Sequence, residues 1–286
     1  MRLPLIVLLV AIGLAGCGRS RSSAPETPPA SPLARAAWDE WRAWNGPVID
    51  GWPDTRPADM RATPERMARL EAYWSILPGG WRIAQRHQDT RNGLIALQDR
   101  LNAEHAGEEG DGAAPMVVVA GLDDMAMYNY PAWSAAFISY VARSAGVPEW
   151  ELPSSSRHAS YIDAVIARYY ASPETSAYVP QAPEEIAPRV GDLVCADRAW
   201  VRLNHWTERI SERGRGRPMH CDVVVRTAPG RVEAIGGNVQ AMVARRIFPA
   251  DAQGRLLPAP FDRPGFIVVL AARENHWTPA PVPSAR

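Results

Sequence analysis

The 286-residue chain is 47% hydrophobic and 22% charged, the balance of a globular protein with a real core rather than of a disordered or membrane-spanning chain. Its 31 basic residues are all arginine and are matched by 31 Asp and Glu, giving a formal net charge of zero. Without a single lysine there is no Walker-type phosphate loop, no Schiff-base chemistry, no kinase of the usual kind and no serine activated by a lysine base. Charge neutrality argues against nucleic acid as a partner.

Arg2 precedes the apolar run Leu3–Leu14, and the run ends in Leu14-Ala15-Gly16-Cys17. This is short for a membrane span but suits the hydrophobic region of a secretory signal. Small residues before a cysteine look like a bacterial lipobox. The resemblance implies cleavage before Cys17, lipidation of its thiol and, with Gly18 following, outer-membrane sorting toward the periplasm; an ordinary signal peptide with an incidental cysteine is the alternative. Residues 17–32 are Ser/Pro-rich and carry almost no large apolar side chain, so they are expected to act as a flexible tether.

Residues 33–114 form the next unit, mostly helical up to about 105. Trp38, Trp41 and Trp44 repeat every third residue, and Thr63-Pro64-Glu65 reads as a cap followed by proline at the first helical position of a second helix, Thr63 to Leu77. Such a tryptophan stripe is expected in the core. A turn-rich loop, 106–114, leads to an apolar run at 116–120 and a unit spanning 115–286. There the almost wholly apolar stretch after Pro131 ends at Gly146 with Pro148 beyond, predicting a helix buried on most sides. A further helix is predicted near Tyr161–Tyr170, after a Ser-rich loop containing His158.

From Val190 the period becomes that of strands: GDLVCA, HCDVVVRT, RVEAIGG after an Ala-Pro-Gly turn, and FIVVLA. Helices followed by an antiparallel sheet make this an α+β protein. Cys195 and Cys221 lie in the first two strands, so an antiparallel pairing would allow a disulfide closing a loop of about 26 residues and contributing on the order of 3 kcal/mol. In an oxidising compartment that bridge is the expectation, with two inert buried thiols as the alternative. Between these strands, Asp197–Met219 carries Arg198, Arg202, Arg209, Arg213, Arg215 and Arg217. Arg213, Arg215 and Arg217 are expected to bind carboxylates of a substrate, or else to form a plain solvated loop.

Three groups suggest chemistry: Ser134 at a buried helix start, His220 at a strand head and Asn238 at the end of the next strand. Free N–H groups at a helix start can stabilise an oxyanion, a histidine can take the hydroxyl proton, and an amide can hold the imidazole tautomer. Each also has an ordinary reading as cap, structural histidine and turn. Asp222 shares the strand face of His220 and can orient it as a carboxylate, whereas Cys221 points to the other face. Neither Gly-x-Ser-x-Gly nor His-Glu-x-x-His occurs, and no motif calls for a metal or cofactor.

WSAAFISYV (133–141), PRVGDLV (188–194), HCDVVV (220–225) and VEAIGGNVQAMV (232–243) together resemble the CHAP-like, NlpC-type and related papain-like cell-wall amidohydrolases. The nearest likeness is the bacterial domain-of-unknown-function family numbered 2272, over roughly residues 115–272. The resemblance implies a papain-like fold, a peptidoglycan or cell-wall peptide substrate, a nucleophile at position 134, His220 as base and Asn238 as its orienting residue, with Trp133 and His158 lining the substrate. Those enzymes use cysteine as nucleophile. Here Ser134 stands in its place and requires proton removal during attack, so the resemblance is equally compatible with a serine hydrolase or with an inactive binding module of the same fold.

Overall fold

The computed structural model describes residues 26–53, 56–57, 59–106, 119 and 121–273. The leader, Cys17 and most of the tether lie outside the described residues, as does nearly all of 107–120. Among the described residues are six α-helices: α1 (Pro32–Ala43), α2 (Pro64–Ser75), α3 (Trp81–Ala106), α4 (Ser134–Ser144), α5 (His158–Ala171) and α6 (Arg209–Glu212). Seven strands form one sheet: β1 (Val48–Asp50), β2 (Tyr178–Gln181), β3 (Leu193–Asp197), β4 (Met219–Ala228), β5 (Arg231–Val239), β6 (Met242–Pro249) and β7 (Gly265–Ala272). Their spatial order is β1-β6-β5-β4-β3-β7-β2, with every pairing antiparallel except β1 on β6.

Local chemistry sets the helix ends. Pro32 and Pro64 occupy first turns, and the Thr63 side chain accepts the Arg66 N–H at 3.3 Å. Helix α1 stops at Asn45 and Gly46, both left-handed at φ 64°, where the Gly46 N–H reaches the Trp41 carbonyl. A side chain at Gly46 would press within 3.1 Å of the Trp41 ring. Helix α4 buries almost every residue from Ser134 to Ala142, as its composition requires.

The sheet is buried on two faces. On one, Cys195, Cys221, Val223, Val225 and Ile235 join Leu33, Trp38, Trp44, Trp133 and Phe137 in a single large core. On the other, Val194, Val224, Ala234, Phe248 and Val269 form a smaller cluster beneath Trp52 and Phe266. Strand alternation therefore puts His220 and Asp222 on the side of Val224, away from Cys221.

The large core contains residues from both sides of position 114, so the expected division into units 33–114 and 115–286 does not separate two cores. The first unit also supplies β1, because Val48–Asp50 finds an unpaired edge on β6. Helix α4 starts at Ser134 rather than directly after Pro131. The Arg-rich connection is a folded unit, with α6 and a short 3-10 turn, Trp206–Glu208. It is tied down by Arg209, which is wholly buried and forks onto Asp163 with Nε–Oδ1 3.0 Å and Nη2–Oδ2 2.8 Å.

Cys195 and Cys221 are directly opposed in the β3–β4 register and joined by a disulfide across a separation of 26 residues. Both are in the interior, so reduction removes a tie between β3 and β4 within the core. Replacing both by Ala is expected to lower unfolding free energy by about 3 kcal/mol, read from urea midpoints with an unchanged slope. A variant as stable as the parent would show that the bond constrains nothing.

Candidate active site

Ser134 is the first residue of α4, and its Oγ lies 2.6 Å from Nε2 of His158, the first residue of α5. On the other side of that ring, Nδ1 hydrogen-bonds the Tyr161 hydroxyl one helical turn on. The backbone N–H groups of Ser134, Ala135 and Ala136 have no hydrogen-bond partner among the described residues. Hydroxyl, imidazole and free helix-start donors thus meet at one point. Ser134 retains 6% of its surface and His158 5%, so the pair is nearly dry.

The His220 ring sits 5.3 Å from that of His158, centroid to centroid. Its Nε2 faces Asp222 Oδ1 at 3.3 Å. An ionised carboxylate only accepts, so neutral His220 carries its proton on Nε2 and its lone pair on Nδ1. Asp222 in turn receives the Arg246 guanidinium, Nε at 3.3 Å on Oδ1 and Nη2 on Oδ2.

Burial by itself raises the Asp222 carboxyl, but Arg246 and His220 outweigh it and hold the group well below the usual carboxylate range. Burial pulls His220 down, opposed by Asp222. His158 is driven well below 6.5, first by burial and then by His220. Burial, with Asp222 behind it, pushes Tyr161 well up, so it remains a phenol.

The structure distributes the expected residues differently from the expected triad. Ser134 bonds His158, not His220, and His158 is therefore the hydroxyl's partner rather than a substrate contact. Asp222, not Asn238, holds the His220 ring. Asn238 adopts a left-handed φ of 56°, and its buried Oδ1 has no partner. It lines a cavity of about 180 Å³ together with Trp52, Arg198, His220, Arg246 and Phe266.

Trp133 is not a substrate contact: it is wholly buried, stacked on Trp44 at 5.4 Å and Tyr73 at 5.7 Å, where it fixes the start of α4. Arg217 is likewise consumed by ion pairs to Asp197 at 2.7 Å and Glu212 at 2.9 Å. Arg213 and Arg215 border a separate cavity along α5 with Asp163 and Arg157. The arginines that reach the His220 cavity include Arg198 and Arg246. Arg246 carried no sequence signal beyond a charge inside an apolar strand, MVARRIFP, which is itself the mark of a buried partner.

The glycines before Asn238 make the close approach possible. A Cβ at Gly236 would fall 2.0 Å from Asp222 Oδ1 and 2.9 Å from His220 Nε2; one at Gly237 would fall 2.4 Å from Phe137 Cβ. Gly236 clears one face for the His220–Asp222 pair and Gly237 clears the other for α4.

Residues 98–271 match the family described as an uncharacterized protein conserved in bacteria, DUF2272. The chain belongs to this family. No curated protein and no solved structure gives a significant match. Within this DUF2272 domain the described residues contain no group of three or more His, Cys, Asp or Glu able to hold a metal ion.

The lowered imidazoles make stability depend on pH. His158 and His220 are kept neutral in the fold, whereas in the unfolded chain they protonate near 6.5. Protons are then taken up on unfolding, so stability is full above about pH 6.5 and falls as pH drops below it, with a slope approaching ~1.4 kcal/mol per pH unit for each proton. Urea midpoints measured from pH 8 to pH 5 are expected to decline on the acid side, less steeply in His158→Gln. Equal slopes in the two proteins would place His158 in a solvated setting.

Proposed function

We infer that the chain is a cell-envelope lipoprotein, anchored through Cys17 and facing the periplasm from the outer membrane, whose domain is papain-like and hydrolyses an amide bond in peptidoglycan or a related peptide. The observation that carries the reading is the 2.6 Å contact of Ser134 Oγ with His158 Nε2 at a helix start with unpartnered N–H groups. With the His158 proton on Nδ1 and donated to Tyr161, Nε2 is free to accept from Ser134. Oγ then attacks the carbonyl carbon, its proton passing to Nε2 while the α4 N–H groups receive the oxyanion. Collapse breaks the C–N bond as His158 returns the proton to the leaving amine. Water, deprotonated by the same nitrogen, cleaves the acyl-serine and restores the hydroxyl.

His220, Asp222 and Arg246 form the adjoining wall. In this scheme they form a polar wall of zero net charge beside the reacting carbonyl, while His158 does the proton transfer. Muropeptides incubated with the protein are expected to release a new amine, Ser134→Ala to release none, and His158→Ala to be slowed by about 10²-fold or more. A larger loss in His220→Ala than in His158→Ala would move the base to the strand.

A second reading is favoured by the cavity, which is lined by His220 and Asn238 but not by Ser134. On that reading the domain binds cell-wall peptide without turnover. Wild type and Ser134→Ala would then hold purified sacculi equally and neither would release product.

A further inference from the structure

The cavity beside the His220 wall has chemistry that the Ser134–His158 pair does not use. Arg198 follows directly on β3, at the sheet end where Asp197 pairs with Gly265 of β7. It forms no ion pair among the described residues. Arg246 and Arg263 also line the cavity; Arg246 is engaged by Asp222 through Nε and Nη2, and Arg263 by Asp262 at 3.5 Å. With His220 neutral, Arg246 answered by Asp222 and Arg263 by Asp262, Arg198 is left as an uncompensated positive charge on the wall. Desolvation first, and then the nearby Arg246, pull Arg198 below its ordinary value.

The same cavity presents one unfilled acceptor and an apolar side. Asn238 Oδ1 is buried and unpartnered, on a left-handed residue just before Gln240 and Ala241, which are also left-handed at φ 51° and 64°. Trp52 and Phe266 supply the apolar wall. At about 180 Å³ the space is small against the several hundred Å³ of a drug-sized site, and suits a residue or two of peptide.

We propose that this cavity is a carboxylate subsite: Arg198 pairs with an acidic group of the ligand, and the Asn238 side chain receives a peptide N–H next to it. The substrate or ligand class is thus a short peptide bearing a free carboxylate, from a chain end or from an acidic side chain. This deepens the hydrolase reading and rests on it only for turnover, since the subsite binds whether or not Ser134 reacts. It also assigns the recognition of acid to Arg198 in place of Arg213, Arg215 and Arg217.

Three probes separate the possibilities by calorimetry on the intact protein: N-acetyl-Ala-Ala with a free C-terminus, its C-terminal amide, and N-acetyl-Glu-Ala-amide. At least one carboxylate probe is expected to bind ten-fold or more tightly than the neutral amide. That preference should shrink as salt rises and disappear in Arg198→Gln, with Arg198→Lys intermediate. The free-terminus peptide winning identifies a chain end, and the Glu peptide winning identifies a side chain. Because Arg198 makes no ion pair among the described residues, its variants should keep the parental melting temperature, and Arg213→Gln serves as a charge-matched control. Equal binding of all three probes, or an Arg198→Gln protein that still prefers carboxylate, overturns the subsite. Carboxylate preference without amine release leaves the subsite standing and removes the hydrolase, while amine release indifferent to Arg198 does the reverse.

Discussion

The Asp222–Arg246 ion pair is the constraint around which the site is built. The two residues lie on β4 and β6, with β5 between them, so their side chains must meet across the middle strand. With Val223 paired to Ile235, the residue next to Asp222 on β5 is Gly236, a position where any side chain would strike the carboxylate. A buried carboxylate is costly unless paired and hydrogen-bonded, and here the guanidinium fork and His220 supply both. The pair then determines the His220 tautomer and the charge felt by His158.

Around that pair the chain relies on guanidinium groups wherever cations enter the interior. Arg209 is wholly buried on Asp163, and Arg245 lies 4.4 Å over the Trp41 ring while reaching Glu233 at 3.1 Å. A guanidinium stays charged when desolvated and forks onto carboxylates, whereas a buried ammonium tends to give up its proton. An all-arginine complement is therefore compatible with a core holding several ion pairs.

Much of this was legible in the sequence where period and composition agreed. β3, β4, β5 and β7 follow from apolar alternation, and α4 from an apolar run closed by Gly146 and Pro148. β6 was obscured by Arg245 and Arg246, whose burial depends on partners far along the chain, and β1 and β2 are short edge strands with little pattern to read. Ser134, His220, Asp222 and Asn238 could be picked out by residue type and position. Their pairing could not: Ser134 and His158 are brought together by the packing of α4 and α5, and no spacing rule encodes which histidine a hydroxyl will meet. The arginine-rich connection misled for the same reason, because Arg209 is neutralised by Asp163, on a distant helix, and Arg217 by Asp197, at the opposite end of the connection.

The cross-strand disulfide has a consequence for parity. Side chains alternate between the two faces of β4, so slipping that strand by one residue against β3 would send His220 and Asp222 into the aromatic core and turn Cys221 toward the cavity. Hydrophobic patterning opposes such a slip only weakly here, since β4 is apolar on both faces from Val223 to Val225. Cys195 can bond Cys221 from a directly opposed position only when the strands are in the right phase. Oxidation thus acts as a proofreading step, covalently recording the one alignment in which the histidine faces its aspartate.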